Sequence, residues 1–315
     1  LVKKVLFIDS VHSALQERLE EKGFECHLGF SLSREEILNA IDQYFGVVIR
    51  SRIRMDEELL SKAANLKFIA RSGAGMENIE VPFAEERGIT CFNAPEGNRD
   101  AVGEHAIGML LSLFNNLKRG DEEVRKGIWR REENRGLELG GKTVGIIGFG
   151  NNGRAFAQKL AGFGCQVLAF DKYAQPEESA VARSSSLEEI QKEADIVSFH
   201  VPLTAETHYY FDEAFLQKCQ KPIYLINMSR GKVVKTAALV DGLKSAKVLG
   251  ACLDVLEYEK FSFEQLQSEN LPKTFRELIE SEKVLLSPHV AGWTHESHKR
   301  LSTVLADKII QKFAQ

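Results

Sequence analysis

Apolar positions along the chain alternate between short continuous runs and stripes at helical spacing. Residues 5–8 are all apolar, lie between Lys4 and Asp9, and predict a strand. Residues 12–21 follow with Leu15 and Leu19 on one face, and Gly23 ends that helix. Ser33 and Glu36 make a capping-box pattern ahead of Ile37, Ala40 and Ile41. Gly46–Ile49 predicts the next strand, 56–64 a helix and 67–70 a strand. Such runs between helices predict a parallel sheet covered on both faces. Residues 100–118 form the longest helical pattern, with Ala101, Ala106, Met109, Leu110, Leu113 and Leu117 in one stripe. Gly103 and Gly108 on that helix leave room for close packing. The charged stretch 118–135 reads as a solvated helix and connector. Alternation then restarts: strand Thr143–Ile147, helix 154–162 and strand Gln166–Phe170. Further strands follow at 195–200, 222–228, 249–253 and Val284–Leu286. That restart predicts a second domain.

Length agrees, since 315 residues make about two domains at roughly 150 residues each. With 43% hydrophobic and 27% charged residues, a disordered or fibrous chain is excluded. The net charge of −4 requires no basic face, so neither nucleic acid nor an acidic membrane is the expected partner. No apolar run approaches the ~18 residues of a membrane span. The apolar part of residues 1–9 is too short for a signal peptide. The five cysteines are odd in number, widely spaced and without a C-x-x-C pair. They suit a reducing cytoplasm with mostly buried thiols.

The first chemical motif follows strand Thr143–Ile147 directly. Gly148, Gly150 and Gly153 occupy the positions of a G-x-G-x-x-G turn, with Asn151 and Asn152 between them. Gly148 allows the tight turn, Gly150 lets backbone approach a pyrophosphate, and Gly153 lets helix pack on strand. The helix start offers N–H groups to the phosphates. The second strand ends in Asp171, 23 residues after Gly148, where an acid should bind both ribose hydroxyls and repel a 2′-phosphate. NAD is therefore expected over NADP, slightly tempered by Lys172. A site for S-adenosylmethionine, which also uses a glycine loop and an acid on the second strand, is the competing reading.

Polar clusters recur just past later strands, the edge where doubly wound sheets bind ligands. They are His200-Val201-Pro202-Leu203-Thr204 with Thr207, Asn227-Met228-Ser229-Arg230-Gly231, Asp254 with Glu259 beyond it, and Ser287-Pro288-His289 leading to Gly292. Singly, Arg230 could be a surface arginine, Glu259 part of a solvated loop and His289 a buried structural histidine. His295 and His298 are three apart on a helix, but no further ligand is marked nearby, so no metal is expected. His105, in the long helix, reads as a packed residue.

Taken together, these motifs closely resemble the D-isomer-specific 2-hydroxyacid dehydrogenases over essentially the whole chain. The first half contributes Arg71-Ser72-Gly73-Ala74-Gly75-Met76-Glu77-Asn78-Ile79 and Phe92-Asn93-Ala94-Pro95. The resemblance implies an oxidoreductase with His289 as acid/base, Glu259 holding its imidazole, and Arg230 binding the substrate carboxylate and polarising the carbonyl. It also implies that Val201, Pro202, Thr207, Met228, Ser229, Arg230, Asp254, His289 and Gly292 join the glycine turn around NAD. Ser72, Gly73, Ala74 and Gly75 would receive the substrate carboxylate. Lys260 stands where the family often has Pro, which keeps Glu257 as an alternative to Glu259. The segment 261–276 is longer than a minimal loop and raises the question of a lid.

The pattern is most similar to the family's short, phosphoglycerate-oxidising branch. Arg50 and Arg52, just past strand Gly46–Ile49, resemble an Arg-Ser-Arg run of that branch and suit a phosphate; surface pairing with Asp56, Glu57 or Glu58 is the alternative. The expected reaction is NAD-dependent oxidation of D-3-phosphoglycerate, the first step toward serine, in a cytoplasmic homodimer. Trp129 and Arg131 match the stretch that relatives extend to a partner subunit. A hydroxypyruvate or glyoxylate reductase would not need Arg50 and Arg52. A non-catalytic NAD-sensing corepressor would share the fold. The expected architecture is α/β with two Rossmann-like parallel-sheet domains. Residues 98–286 make the NAD domain, and 1–97 with 287–315 make a discontinuous, flavodoxin-like substrate domain. Only 26 residues follow His289, so a closing helix is expected and a serine-binding regulatory domain is not.

Overall fold

The short apolar runs become strands of two separate parallel sheets. The structure, a computed structural model, describes residues 2–174, 180–259 and 271–314. The chain opens with β1 (Lys3–Phe7), α1 (Ala14–Glu20), β2 (Phe24–Leu28), α2 (Arg34–Ala40), β3 (Gly46–Ile49), α3 (Glu57–Lys62), β4 (Phe68–Arg71), α4 (Val81–Glu86) and β5 (Thr90–Phe92). Helices α5 (Pro95–Phe114) and α6 (Leu117–Arg125) come next. Then follow β6 (Thr143–Ile147), α7 (Asn151–Leu160), β7 (Gln166–Phe170), β8 (Arg183–Ser184), α8 (Leu187–Glu193), β9 (Ile196–Phe199), α9 (Glu213–Lys218) and β10 (Ile223–Asn227). The remainder is α10 (Thr236–Lys244), β11 (Val248–Leu253), α11 (Lys273–Glu280), β12 (Val284–Leu286) and α12 (His295–Phe313). Two units result, Leu1–Arg99 with Trp293–Gln315, and Asp100–Gly292.

The first unit's sheet has the order β2-β1-β3-β4-β5, the flavodoxin-like order of the sequence reading. Winding reverses between β1 and β3, where Val5 lies opposite Gly46 and Phe7 opposite Val48. Successive side chains point to opposite faces. Val5, Phe7, Val48 and Phe68 meet Leu15 and Leu19 of α1 and Leu305 and Ile309 of α12. Leu6, Ile8, Val47 and Ile49 meet Ile37, Leu59 and Leu60 on the other side. Each such fully buried side chain contributes about 1.5–3 kcal/mol.

The second sheet has the order β12-β11-β10-β9-β6-β7-β8, again parallel, with its reversal between β6 and β9. Val197, Phe199, Leu225 and Leu253 face α8 to α11, while Ile146, Ile196, Ile226 and Cys252 face α5 and α7.

Some boundaries differ from those the apolar pattern indicates. The long helix begins at Pro95 and ends at Phe114; Asn116, in the left-handed region at φ 51°, separates it from α6. Gly103 does pack closely, since a Cβ there would lie 3.1 Å from the Ala155 carbonyl, but Gly108 faces open space. Residues 287–292 belong with the second unit rather than the first. The reason is Asp254, whose carboxylate holds Ser287, Val290 and Ala291 to the second sheet. Among the described residues, no helix is long and apolar enough to cross a membrane.

Candidate active site

The glycine turn joins β6 to α7 at the winding reversal. Gly148 has φ 91°, and a Cβ on it would lie 2.8 Å from the His200 carbonyl carbon and oxygen. Gly153 has no room either: its Cβ would stand 2.2 Å from the Gly148 oxygen. Gly150, by contrast, faces open space at the start of α7, where the first N–H groups of a helix lack partners within it. Asn152 Oδ1 is buried there without a partner among the described residues. This combination of open backbone and helix start fits a pyrophosphate.

Asp171 ends β7. Its carboxylate accepts from Phe149 N at 2.8 Å and from Tyr173 N and Ala174 N at 3.0 and 3.1 Å, which fixes it against the turn. Lys172 is engaged by Glu206 at 2.7 Å, so the cation that could have welcomed a 2′-phosphate has a carboxylate of its own. The residues present fit NAD.

Past β9, burial pushes the His200 imidazole down to about 4. It is therefore neutral near pH 7, with Nε2 2.8 Å from Ser198 Oγ. Val201 and Pro202 lead into a turn closed by Thr207, whose hydroxyl donates to the Pro202 oxygen at 2.5 Å.

Past β10, the fully buried Asn227 shapes the next turn. Its amide donates to the Arg230 oxygen at 2.9 Å, and its Oδ1 accepts from Ser229 N and Oγ at 3.1 and 2.7 Å. Arg230 Nη1 donates to the Ser229 oxygen at 2.7 Å. Met228 is buried in the core beneath. The sequence motif held Asn227, but its role as the brace behind Arg230 emerges only here.

Past β11 and β12, Glu259 and His289 come together. Glu259 Oε2 lies 2.7 Å from His289 Nδ1, with Glu259 only 12% exposed. A carboxylate only accepts, so Nδ1 carries its proton toward Glu259 and the ring's exchangeable proton is on Nε2. The other Glu259 oxygen accepts from Leu256 N. His289 has φ 56°, in the left-handed region that histidine enters more readily than most residues, and its N–H donates to the Asp254 backbone oxygen at 2.8 Å. The Asp254 side chain, 2% exposed, accepts from Ser287 Oγ at 2.6 Å, Val290 N at 2.9 Å and Ala291 N at 2.8 Å. Asp254 thus holds the whole 287–291 turn that presents His289.

Glu257 lies elsewhere: it accepts from Tyr209 Oη at 2.6 Å and from Thr236 N at 2.8 Å, at the start of α10. That hydrogen bond pushes the Tyr209 phenol up to about 12. His105 is not merely packed, because its Nε2 lies 2.8 Å from Ser287 Oγ and 3.5 Å from Asp254 Oδ1. It supports the Asp254 network from α5, a contact across 182 residues that no local signal could reveal.

The residues expected to meet substrate lie in the first unit, at the ends of β3 and β4. Ser72 N donates to the Ile49 oxygen, and the Asn78 amide donates to the Arg50 oxygen. Gly73, at φ 157°, is where the Arg71 guanidinium crosses the backbone: a Cβ would lie 1.5 Å from Arg71 Nη1. The N–H groups of Ala74 and Gly75 have no acceptor among the described residues. Arg50 lies with its guanidinium carbon 4.0 Å from the centre of the Trp293 ring. Arg52 turns back into its own unit, donating to Asp9 Oδ1 and to the carbonyls of Ile8, Gly29 and Leu32. Its guanidinium knits three turns together. Asp56, the carboxylate with which a surface pairing was the alternative, is engaged by Arg34 at 2.7 Å. Trp129 is 75% exposed. The lid question falls largely on 260–270, outside the described residues. No described group of three His, Cys, Asp or Glu could hold a metal ion.

Residues 107–291 match the model described as "D-isomer specific 2-hydroxyacid dehydrogenase, NAD binding domain". A D-3-phosphoglycerate dehydrogenase of Archaeoglobus fulgidus is 31% identical over 98% of this chain and 56% of its own length. The chain therefore spans a little over half of that relative. A hydroxypyruvate reductase of Thermotoga maritima is 32% identical over 89% of each chain. Among solved structures, a D-lactate dehydrogenase from Aquifex aeolicus complexed with NAD and lactic acid is 27% identical. Its TM-score is 0.81, over 98% of this chain and 96% of that one.

Proposed function

The chain belongs to the D-isomer-specific 2-hydroxyacid dehydrogenase family, with its NAD-binding domain at residues 107–291, and from that premise we propose that it oxidises D-3-phosphoglycerate reversibly. The observation that carries the proposal is the Glu259–His289 pair at 2.7 Å on the same sheet edge as Arg230. NAD, when bound, supplies the two-electron acceptor. In oxidation His289 Nε2 accepts the proton of the 2-hydroxyl, and in reduction it returns that proton to the carbonyl oxygen. Glu259 keeps Nδ1 protonated and the ring oriented. Arg230 offers a planar fork to the carboxylate and the reacting oxygen. Asn227 and Asp254 set the two turns that carry Arg230 and His289, so little reorganisation is needed at the moment of reaction. In the first unit, taken by itself, the Ala74 and Gly75 N–H groups are donors suited to a carboxylate, and the Arg50 guanidinium suits a phosphoryl group.

The mutual 89% coverage with a hydroxypyruvate reductase supports a second reading, a small 2-keto acid without phosphate. Steady-state NADH oxidation with phosphohydroxypyruvate, hydroxypyruvate, glyoxylate and pyruvate separates the two. The phosphorylated acid should lead in kcat/KM by about tenfold or more, which is at least about 1.4 kcal/mol. Equal values for phosphohydroxypyruvate and hydroxypyruvate would reject the first reading.

We further infer a homodimer, supported by the apolar side chains exposed on and after α6: Leu117 at 58%, Val124 at 53% and Trp129 at 75%. Light scattering of the Trp129→Ala variant should show a larger monomer fraction than the parent chain. The free state of all five cysteines supports a cytoplasmic setting.

A further inference from the structure

His105 lies on α5, two residues beyond the glycine that sets this helix against α7. At Gly103 the two backbones come so close that a Cβ would lie 3.1 Å from the Ala155 carbonyl. Val102, Ala106, Met109 and Leu110 of α5 pack into one core cluster with Cys252 of β11 and Ala291 of the turn after β12. The helix is thus fixed by its packing, and the partly buried His105 side chain arrives at Ser287.

The hydrogen bonds around Ser287 have one consistent direction. Its hydroxyl has a single proton and three polar neighbours: Asp254 Oδ1 at 2.6 Å, His105 Nε2 at 2.8 Å and Met109 Sδ at 3.5 Å. A carboxylate only accepts, and its bonds are charge-assisted, whereas a thioether accepts weakly. Ser287 therefore donates to Asp254. Its oxygen is left as an acceptor, so His105 Nε2 carries the hydrogen that it receives. This fixes the His105 tautomer and gives a chain that runs one way, from His105 through Ser287 to Asp254. The direct separation of His105 Nε2 from Asp254 Oδ1 is 3.5 Å, longer than an ordinary hydrogen bond, so the hydroxyl is the link.

Asp254 passes this anchoring on. Its side chain also accepts from Val290 N at 2.9 Å and Ala291 N at 2.8 Å, and its backbone oxygen accepts from His289 N at 2.8 Å. Its own N–H donates to the Asn227 oxygen at 3.2 Å, and Asn227 braces Arg230. Chains of buried hydrogen bonds act together, so a donor removed at one end loosens the other.

We propose that His105 is a positioning residue for the hydride-transfer reaction: it locks Ser287 onto Asp254 and so fixes the turn that presents His289. The inference rests on the acid/base reading of His289 and extends it to α5. With the chain cut, Asp254 keeps its two backbone donors and the fold survives. The Ser287 hydroxyl is then free to turn toward Met109, and His289 spends less time aligned for proton transfer. The effect falls on kcat, because small misplacements of a reacting group lower the rate steeply, and not on the glycine turn that holds the dinucleotide.

The test compares His105→Leu, which fills space but donates nothing, with His105→Gln, whose amide nitrogen reaches about as far as Nε2. Turnover of the full chain is followed with NADH and whichever of the four 2-keto acids named above reacts fastest, and NADH affinity by fluorescence titration. In His105→Leu, kcat should fall about tenfold with NADH affinity close to that of the parent chain. His105→Gln should recover most of that loss. Ser287→Ala cuts the chain at its next atom, so adding His105→Leu to it should lower kcat no further. Parent-like kcat in His105→Leu, equal losses in the Leu and Gln variants, or losses that multiply in the double variant each overturn the inference. Should His105→Leu fail to fold, the other two variants decide: kcat close to parent in His105→Gln beside a loss in Ser287→Ala upholds it, and any other pair of results overturns it. Turnover retained in His289→Ala is a separate outcome, which removes the acid/base reading and this inference with it.

Discussion

At the C-terminal edge of the second sheet, Asp254 accepts three hydrogen bonds and Glu259 accepts two, one of them from His289. At the same edge of the first sheet, Asp9 accepts from Arg50 N and Arg52 Nε, and the Arg50 guanidinium carbon lies 4.0 Å from the centre of the Trp293 ring. Both edges lie at a reversal of winding, so topology alone does not distinguish them. Charge management does. The second edge completes its electrostatics within the chain, as a group that passes a proton must be held in one tautomer and one orientation. The first edge ties Arg52 back to Asp9, Ile8, Gly29 and Leu32 and lays Arg50 on an exposed indole.

The sharpest way to break the comparison is to remove the acid/base. His289→Ala should lower kcat by about 10²–10⁴-fold, as loss of a general acid/base does, while fluorescence titration still shows NADH binding. Retained turnover would refute the assignment of His289. Next comes the glycine turn, which belongs to the same self-contained edge. In Gly153→Ala the new Cβ would stand 2.2 Å from a backbone oxygen, which cannot swing aside. Strain of about 1–3 kcal/mol corresponds to NADH binding weakened roughly ten- to hundredfold. Unchanged NADH affinity would show that the turn is a structural bend. Arg50→Ala probes the other edge. Its KM for phosphohydroxypyruvate should rise about tenfold, and that for hydroxypyruvate much less. Equal rises for both acids would place Arg50 at the carboxylate instead.

What could be read from the sequence follows a physical line. Gly46–Ile49, Thr143–Ile147, Gln166–Phe170 and Val284–Leu286 are strands with the bounds the apolar runs indicated. Strand β2 has no such signal: Phe24–Leu28 is an edge strand that buries only Phe24, so polar residues interrupt it. The start of α5 was hidden by Pro95 and Gly97, which look like breakers. Proline is tolerated in a first helical turn, and Gly97 is there because a Cβ would stand 2.7 Å from Leu301 N. The active-site motifs were legible because each lies just past a strand. The supports behind them were not, since His105 meets Ser287 only through tertiary packing. For the same reason Arg52 looked like a ligand-binding residue, although its guanidinium reaches back to Gly29 and Leu32.

The smallest expected effect concerns the two glutamates that the sequence left as alternatives. They are two residues apart in one turn, yet Glu259 faces His289 and Glu257 faces away, to Tyr209 and the N–H of Thr236. Glu257 therefore works as the cap of α10, a helix whose capping residue Lys235 makes no such bond. Glu257→Gln keeps the shape and one acceptor but loses the charge at a helix start and toward a phenol. It should cost about 1 kcal/mol of stability, read from urea unfolding, with kcat close to that of the parent chain. Glu259→Gln reverses the pattern. Folding should change little, and kcat should fall by about 10²-fold because the imidazole loses the carboxylate that orients it. If the two variants exchanged these behaviours, the carboxylate serving His289 would be Glu257, and the second edge would not be the self-completed assembly its hydrogen bonds describe.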